Sequence, residues 1–274
     1  MIYIIGSSGY IGQKLNRFFK KKKIVNVTSK KSKKYITSNI FRKTSSEKWI
    51  KKISKNDIIF LLSSFGSMEY HEKNKKIINA KISNLNNNFF KKVNTKSKII
   101  FFSSDMVYGN TKNVIKDSTK PRPLNNYGKT KIKIEKLIKK NFKDYLILRL
   151  PKIFSRSTKD KIFPNTHLQN LKDMKTIKLY KDNLYHYMDI KYFKKIISNK
   201  MIFKKNLIGT YNLPVSNSYS RIKFFEKFLG VKKYNKYKHL IKENLLSKSK
   251  IKFPKKLIMK TIFYKKINVI KKKY

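Results

Sequence analysis

Apolar residues along this chain gather in short unbroken runs, separated by longer stretches with helical periodicity. The runs predict strands over Ile2–Ile5, Ile24–Val27, Asp57–Leu62, Ile99–Ser103 and Tyr145–Leu150, with helices between most of them. Segments such as DIIFLL and KIIFFSS lack the polar alternate of a half-exposed strand. Strands covered on both faces belong to parallel sheets wound with helices. The expected fold is therefore α/β, a doubly wound parallel sheet over residues 1–155 with a smaller lobe over 156–274, some chain segments interleaving. Past about residue 151 the elements shorten and loop character grows, as a lid or second lobe would require.

One helical stretch sorts its lysines by direction. At about 100° per residue, Ile134, Leu137 and Ile138 form an apolar stripe that Tyr127, Thr130 and Lys131 extend toward the N-terminus. Lys129, Lys133, Lys136, Lys139 and Lys140 fall on the other side. Lys131 thus points where the core side chains point, and a buried ammonium needs compensation or a task. The spacing Tyr-x-x-x-Lys carries no information alone, because it recurs at Tyr10, Tyr108, Tyr187, Tyr219 and Tyr234.

The N-terminal stretch MIYIIGSSGYIGQKLNRFF sets Gly6, Gly9 and Gly12 between a strand and an amphipathic helix. Such glycines allow a tight turn, a close approach of backbone amides to a pyrophosphate, and close packing of helix on sheet. Glycine occurs only 8 times in the chain, so three at this spacing stand out from the composition. The turn predicts a Rossmann-type dinucleotide site, with Ser8, Tyr10 and Ile11 beside the glycines. No acidic residue follows the second strand to hold a ribose 2′-hydroxyl; the chain reads IVNVTSKKSKK there. Thr28, Ser29, Lys30 and Lys31 suit a 2′-phosphate instead, which favours NADP over NAD.

Composition narrows the classes further. Lys and Arg number 69 of 274 residues and the net charge is +55, which raises polyanion binding as a class. The excess is mostly Lys, spread over the whole length together with many Asn and Ile, the pattern of compositional bias. Arg, the usual reader of guanine edges, is scarce, so no specific nucleic-acid binding is expected. The Lys20–Lys23 and Lys271–Lys273 runs read as solvated faces and tails. The basic closing segment, residues 255–274, reads as packing into the second lobe, with contact to an anionic membrane surface as the lesser reading. Zero cysteines exclude disulfides and thiolate metal sites, and 4 scattered His offer no metal spacing. With no apolar run of membrane-spanning length and no charged leader before MIYII, the expected location is the cytoplasm.

The glycine turn, SSDMVYG at 103–109 and NNYGKTKIKIEKL at 125–137, in that order, resemble the extended short-chain dehydrogenase/reductase family. That resemblance implies an NAD(P)-dependent oxidoreductase with Ser104, Tyr127 and Lys131 as its catalytic triad. Glu135 fills the family's trailing acidic position. The same likeness implies Leu62, Asn79 and Pro151, besides the glycine turn, Lys30, Tyr127 and Lys131, as cofactor contacts. Asp105, Met106 and Lys152 become candidates for the substrate, with Arg156 beside Lys152. LILRLPKIF, LYHYMDIKYF with Asp189, and GTYNLP continue the likeness to about residue 215. In the implied chemistry Tyr127 exchanges a proton with a carbonyl or alcohol oxygen, Ser104 hydrogen-bonds that oxygen, and Lys131 is expected to lower the phenol's pKa.

Within the family, sugar-nucleotide 4,6-dehydratases place Asp-Glu after the hydroxyl residue, whereas Met106 follows Asp105 here. The wording SSDMVYG is closer to the group that reduces dTDP-4-dehydrorhamnose. The resemblance therefore implies reduction of a 4-keto nucleotide-diphosphate sugar, with a 4-epimerase or a non-catalytic dinucleotide-binding module as alternatives, and possibly a homodimer. In KFPKKLIMKTIFYKKI, Phe253 and Met259 replace that group's Arg and Asp.

Overall fold

The computed structural model describes residues 1–42, 48–62, 65–215, 217–246, 249 and 251–269, so the Lys271–Lys273 run lies outside the described residues. The chain divides into two compact units, each built from separate stretches. The first comprises Met1–Val107, Asn125–Arg149 and Ser198–Tyr211, and the second Tyr108–Leu124, Leu150–Ile197 and Asn212–Tyr274.

Strands β1 (Ile2–Ile5), β2 (Ile24–Thr28), β3 (Ile36–Thr37), β4 (Ile58–Leu61), β5 (Lys98–Ser104) and β6 (Tyr145–Leu150) form a seven-stranded sheet with a later outer strand, Gly209–Asn212. Its order is 209–212, β6, β5, β4, β1, β2, β3. β1 pairs in parallel with both β2 and β4, β4 with β5, and β2 with β3. The five strands expected from the apolar runs are all present. Their continuous hydrophobicity is used in full, since β1, β4 and β5 are buried along nearly their whole lengths.

Helices α1 (Tyr10–Phe18), α2 (Met68–Lys73), α3 (Lys75–Leu85) and α4 (Asn126–Asn141) belong to this unit. Ile78, Ile82 and Leu85 of α3 and Ile134 and Ile138 of α4 pack with Tyr3, Ile5, Ile59, Leu61, Ile99 and Phe101 of the sheet. The stretch 198–211 is tied on by Phe203, whose ring lies 5.6 Å from Phe19, and by Lys98. That lysine is 2% exposed and its Nζ donates to Asp144 Oδ1 at 2.6 Å and to the Leu207 carbonyl at 3.0 Å. A cation so enclosed is tolerable only because it is paired and hydrogen-bonded.

In the second unit, β7 (Lys152–Phe154) and β9 (Tyr185–Asp189) run parallel, with Ser218–Tyr219 antiparallel to β9. Strand β8 (Ile177–Tyr180) pairs with Ile241–Asn244. Phe154, Phe163, Tyr187, Phe224 and Phe225 build its core, with the Tyr187 and Phe224 rings stacked at 3.9 Å. Tyr108 donates to Asn212 Oδ1 at 2.7 Å, which joins two of the motif traces read in the sequence. Asp189 accepts the Lys191 amide. Among the described residues no helix is long and apolar enough to cross a membrane.

Candidate active site

The strand-to-helix turn after β1 shows why glycine stands at 6 and 12. Gly6 has φ of 96°, and a Cβ on Gly12 would come within 2.5 Å of the Gly6 carbonyl oxygen and 2.7 Å of Ser7 Cα. Both atoms are backbone, so they cannot swing aside. Gly12→Ala is accordingly expected to cost about 1–3 kcal/mol of stability, seen as a lower Tm. Gly9 is the N-cap of α1 and supplies no side-chain cap, which leaves first-turn amides available to an anion. The Thr28 hydroxyl donates to Ser8 Oγ at 2.8 Å and fastens the turn to the end of β2.

A cavity of about 460 Å³ opens on this turn, lined by Gly6, Ser8, Gly9, Tyr10, Ile11, Gly12 and Leu62. All seven come from the sequence reading. Ser29, Asn39, Phe41, Phe65 and Lys81 complete the lining. Lys30 is exposed and is not part of it; the side chain that follows β2 into the cavity is Ser29. Asn39, Phe41, Phe65 and Lys81 belong to no motif, and only their place after parallel strands or on α3 could have drawn attention to them.

The second cluster gathers at the end of β5 and the first two turns of α4. Asn125 Oδ1 caps α4 by accepting the Gly128 amide at 2.8 Å. The lysines divide as the helical periodicity predicts, with Lys131 7% exposed and Lys129, Lys133, Lys136, Lys139 and Lys140 in solvent. Lys131 Nζ donates to the Phe102 carbonyl at 3.1 Å and lies 4.9 Å from the Phe101 ring centre and 5.6 Å from that of Tyr127. The Ser104 hydroxyl stands near the Tyr127 phenol, close enough to act on its titration. Ser104 Oγ also donates to Asp105 Oδ1 at 3.1 Å and accepts the Met106 amide at 3.2 Å. Asp105 and Met106 are both buried.

Behind this cluster lies a buried ion pair. Arg149 donates through Nε and Nη2 to Glu135 Oε1 and Oε2 at 3.1 and 2.7 Å, and Ser103 Oγ donates to Glu135 Oε1 at 2.6 Å. Every carboxylate oxygen is thus engaged, which is what makes the burial of Glu135 tolerable. The tie holds β5, β6 and α4 together, one residue before Ser104 and one turn after Lys131.

Electrostatics correct one expectation. Burial of the Tyr127 hydroxyl, reinforced by the Asp105 carboxylate, pushes its pKa up to about 12, with Ser104 opposing. Lys131 does not draw the phenol down. Its own pKa is lowered to about 8 by burial, against the attraction of Glu135. Two groups taken out of water both resist charging, and at this site that effect outweighs their proximity.

Asn79 does not join the group. It is exposed on α3, where its Oδ1 accepts from Lys133, a lysine of the solvent-facing side of α4. Pro151 and Lys152 belong to the second unit, Pro151 buried and Lys152 exposed on β7. There Arg156 lies 3.7 Å from Asp189. Two residues absent from the sequence reading, His71 and Glu72, contact the first turns of α4.

Comparison with known proteins follows the same outline. Among curated proteins none matches the sequence. The NADP complex of dTDP-4-dehydrorhamnose reductase from Bacillus anthracis superposes with a TM-score of 0.78 at 18% identity, covering 98% of this chain and 93% of that one. The enzyme of the same name from Yersinia enterocolitica gives 0.76 at 18%, covering 99% and 93%. A dTDP-glucose 4,6-dehydratase from Streptomyces venezuelae, with NAD bound, gives 0.78 at 11%, covering 100% and 92%. These similarities establish a Rossmann-type α/β fold. The family model described as RmlD substrate binding domain matches residues 1–256, so the chain belongs to the RmlD family of extended short-chain dehydrogenases/reductases.

Proposed function

We propose that the protein is an NAD(P)-dependent reductase of a 4-keto nucleotide-diphosphate sugar, with Tyr127 as the proton donor. The observation that carries this reading is the gathering of Tyr127 and Ser104 beside buried Lys131, whose ammonium lies 5.6 Å from the Tyr127 ring centre, at the carboxyl end of a strand, where open α/β sheets bind ligands. A nicotinamide dinucleotide, when bound, supplies the hydride. The glycine turn fits its pyrophosphate: first-turn amides of α1 lack a side-chain cap, and a Cβ at Gly12 has no room. Ser29 and the neighbouring Thr28, with no carboxylate beside them, favour NADP. Lys131 orients the nicotinamide ribose through its ammonium. Ser104 holds the substrate oxygen, and Tyr127 delivers the proton as negative charge develops there. Asp105, Met106 and Lys152 are the candidates for contacts to the sugar nucleotide.

The state of Tyr127 favours reduction over epimerisation. Burial and the Asp105 carboxylate raise its pKa, so the phenol is held in its neutral form near pH 7. That group is a poor base for the opening oxidation an epimerase needs and a ready donor to a nascent alkoxide. NADPH oxidation measured against a panel of 4-keto nucleotide sugars tests the proposal. A cofactor-dependent decrease in absorbance with one of them is expected. Failure with all of them, while NADPH still binds, would leave the non-catalytic module as the better reading.

A further inference from the structure

Helix α2 carries no family motif, yet two consecutive residues on it grip the turn that presents Tyr127. Glu72 Oε1 accepts the backbone amide of Asn126 at 2.6 Å, and its Oε2 accepts Asn126 Nδ2 at 2.8 Å. His71, 1% exposed, meets Thr130 Oγ1 through Nδ1 at 3.2 Å. The Thr130 hydroxyl gives its single proton to the Asn126 carbonyl at 2.8 Å. Toward His71 it can therefore only accept, so Nδ1 carries the imidazole proton and Nε2 is bare. Nε2 is buried without a hydrogen-bond partner, a cost normally avoided unless the ring is needed where it stands. The ring meets that of Tyr127 at 5.2 Å and 80°, an edge-on contact, and that of Phe65 at 6.0 Å and 61°. Residues 126, 127 and 130 are thus held by one short element, which is itself capped by Ser67 Oγ accepting the Tyr70 amide.

We infer that His71 is a positioning residue for Tyr127: docked on α4 through Thr130, its ring walls one side of the phenol and fixes the direction in which its hydroxyl points. The inference rests on the reading of Tyr127 as proton donor. The groups facing the imidazole are Thr130 and Tyr127 from α4, Phe65 from the loop before α2, and the ammonium groups of Lys131 and Lys81. With two cations nearby and no carboxylate among these neighbours, the ring stays neutral, its pKa lowered to about 4 mainly by burial. It acts as a fixed wall, not as a proton carrier.

The test uses the full chain, NADPH and the keto sugar found in the panel above. His71→Leu fills the space without the hydrogen bond or the ring edge, and Thr130→Val removes the acceptor from the other side. His71→Leu should lower kcat about tenfold, the scale of a small misplacement of a reacting group, and Thr130→Val, which keeps the ring, by less, while KM for NADPH stays within about twofold in both. His71→Phe restores the ring and should recover most of kcat. In a Tyr127→Phe background, His71→Leu should leave the residual rate unchanged, because its effect passes through the phenol. Equal losses in both backgrounds, or full kcat in a folded His71→Leu protein, would overturn the inference and leave the Tyr127 reading intact. Full activity in Tyr127→Phe alone would remove that reading and this inference with it.

Discussion

Tyr127→Phe should bind NADPH as the parent does and turn over at least about 10²-fold more slowly, the usual scale of a lost general acid. The substitution removes one oxygen from a ring that is already walled by His71 and crossed by the Lys131 ammonium, so the pocket should keep its shape. Ser104 retains its bonds to Asp105 and to the Met106 amide, which hold its hydroxyl in place without the phenol. Loss should therefore fall on kcat with little change in KM for either ligand. Steady-state kinetics with cofactor titration by fluorescence measures both, and an unchanged kcat would take Tyr127 out of the mechanism.

Lys131→Met should separate stability from activity. At pH 7 the folded protein holds an ammonium whose pKa has fallen from 10.5 to about 8, a penalty of roughly 3 kcal/mol for keeping it charged. Because the folded-state pKa lies below the unfolded one, the penalty is fully present below pH 8. It is relieved progressively as pH rises toward the unfolded value. Methionine fills similar volume without charge, at the cost of leaving the Phe102 carbonyl without that donor. The variant should unfold at a Tm no lower than the parent's at pH 7, and activity should fall by 10² or more. In the parent, the same titration predicts that turnover declines above about pH 8 as the ammonium is lost. A flat rate from pH 7 to 10 would contradict the role given to Lys131.

The sequence carried the parts of this architecture that depend on periodicity. Uninterrupted apolar runs can form buried strands with no knowledge of their partners, and the direction of Lys131 follows from helix geometry alone. The glycine turn was equally legible, because the steric demand at Gly12 comes from atoms only five or six residues away. What escaped was whatever depends on distant pairing. His71 meets Thr130 across 59 positions, and α2 has no pattern that announces its target. Asn79 looked eligible in a chain crowded with asparagines, but its side of α3 faces Lys133. The tyrosine's proton affinity is hidden from the sequence for a related reason: one turn of helix brings a cation near, whereas the desolvation that dominates is set by surrounding chain segments.

For a molecule covered in amines, the interior lysines have a practical consequence. Reductive methylation of the native protein should modify the solvent-facing ammonium groups quickly and spare Lys98 and Lys131, which are 2% and 7% exposed. Their slow labelling then becomes a clock for transient opening around the start of β5 and around α4. Mass spectrometry of digests taken over time can read both sites in one experiment. Tight binding of a ligand across α4 should slow the Lys131 clock while leaving that of Lys98 nearly unchanged.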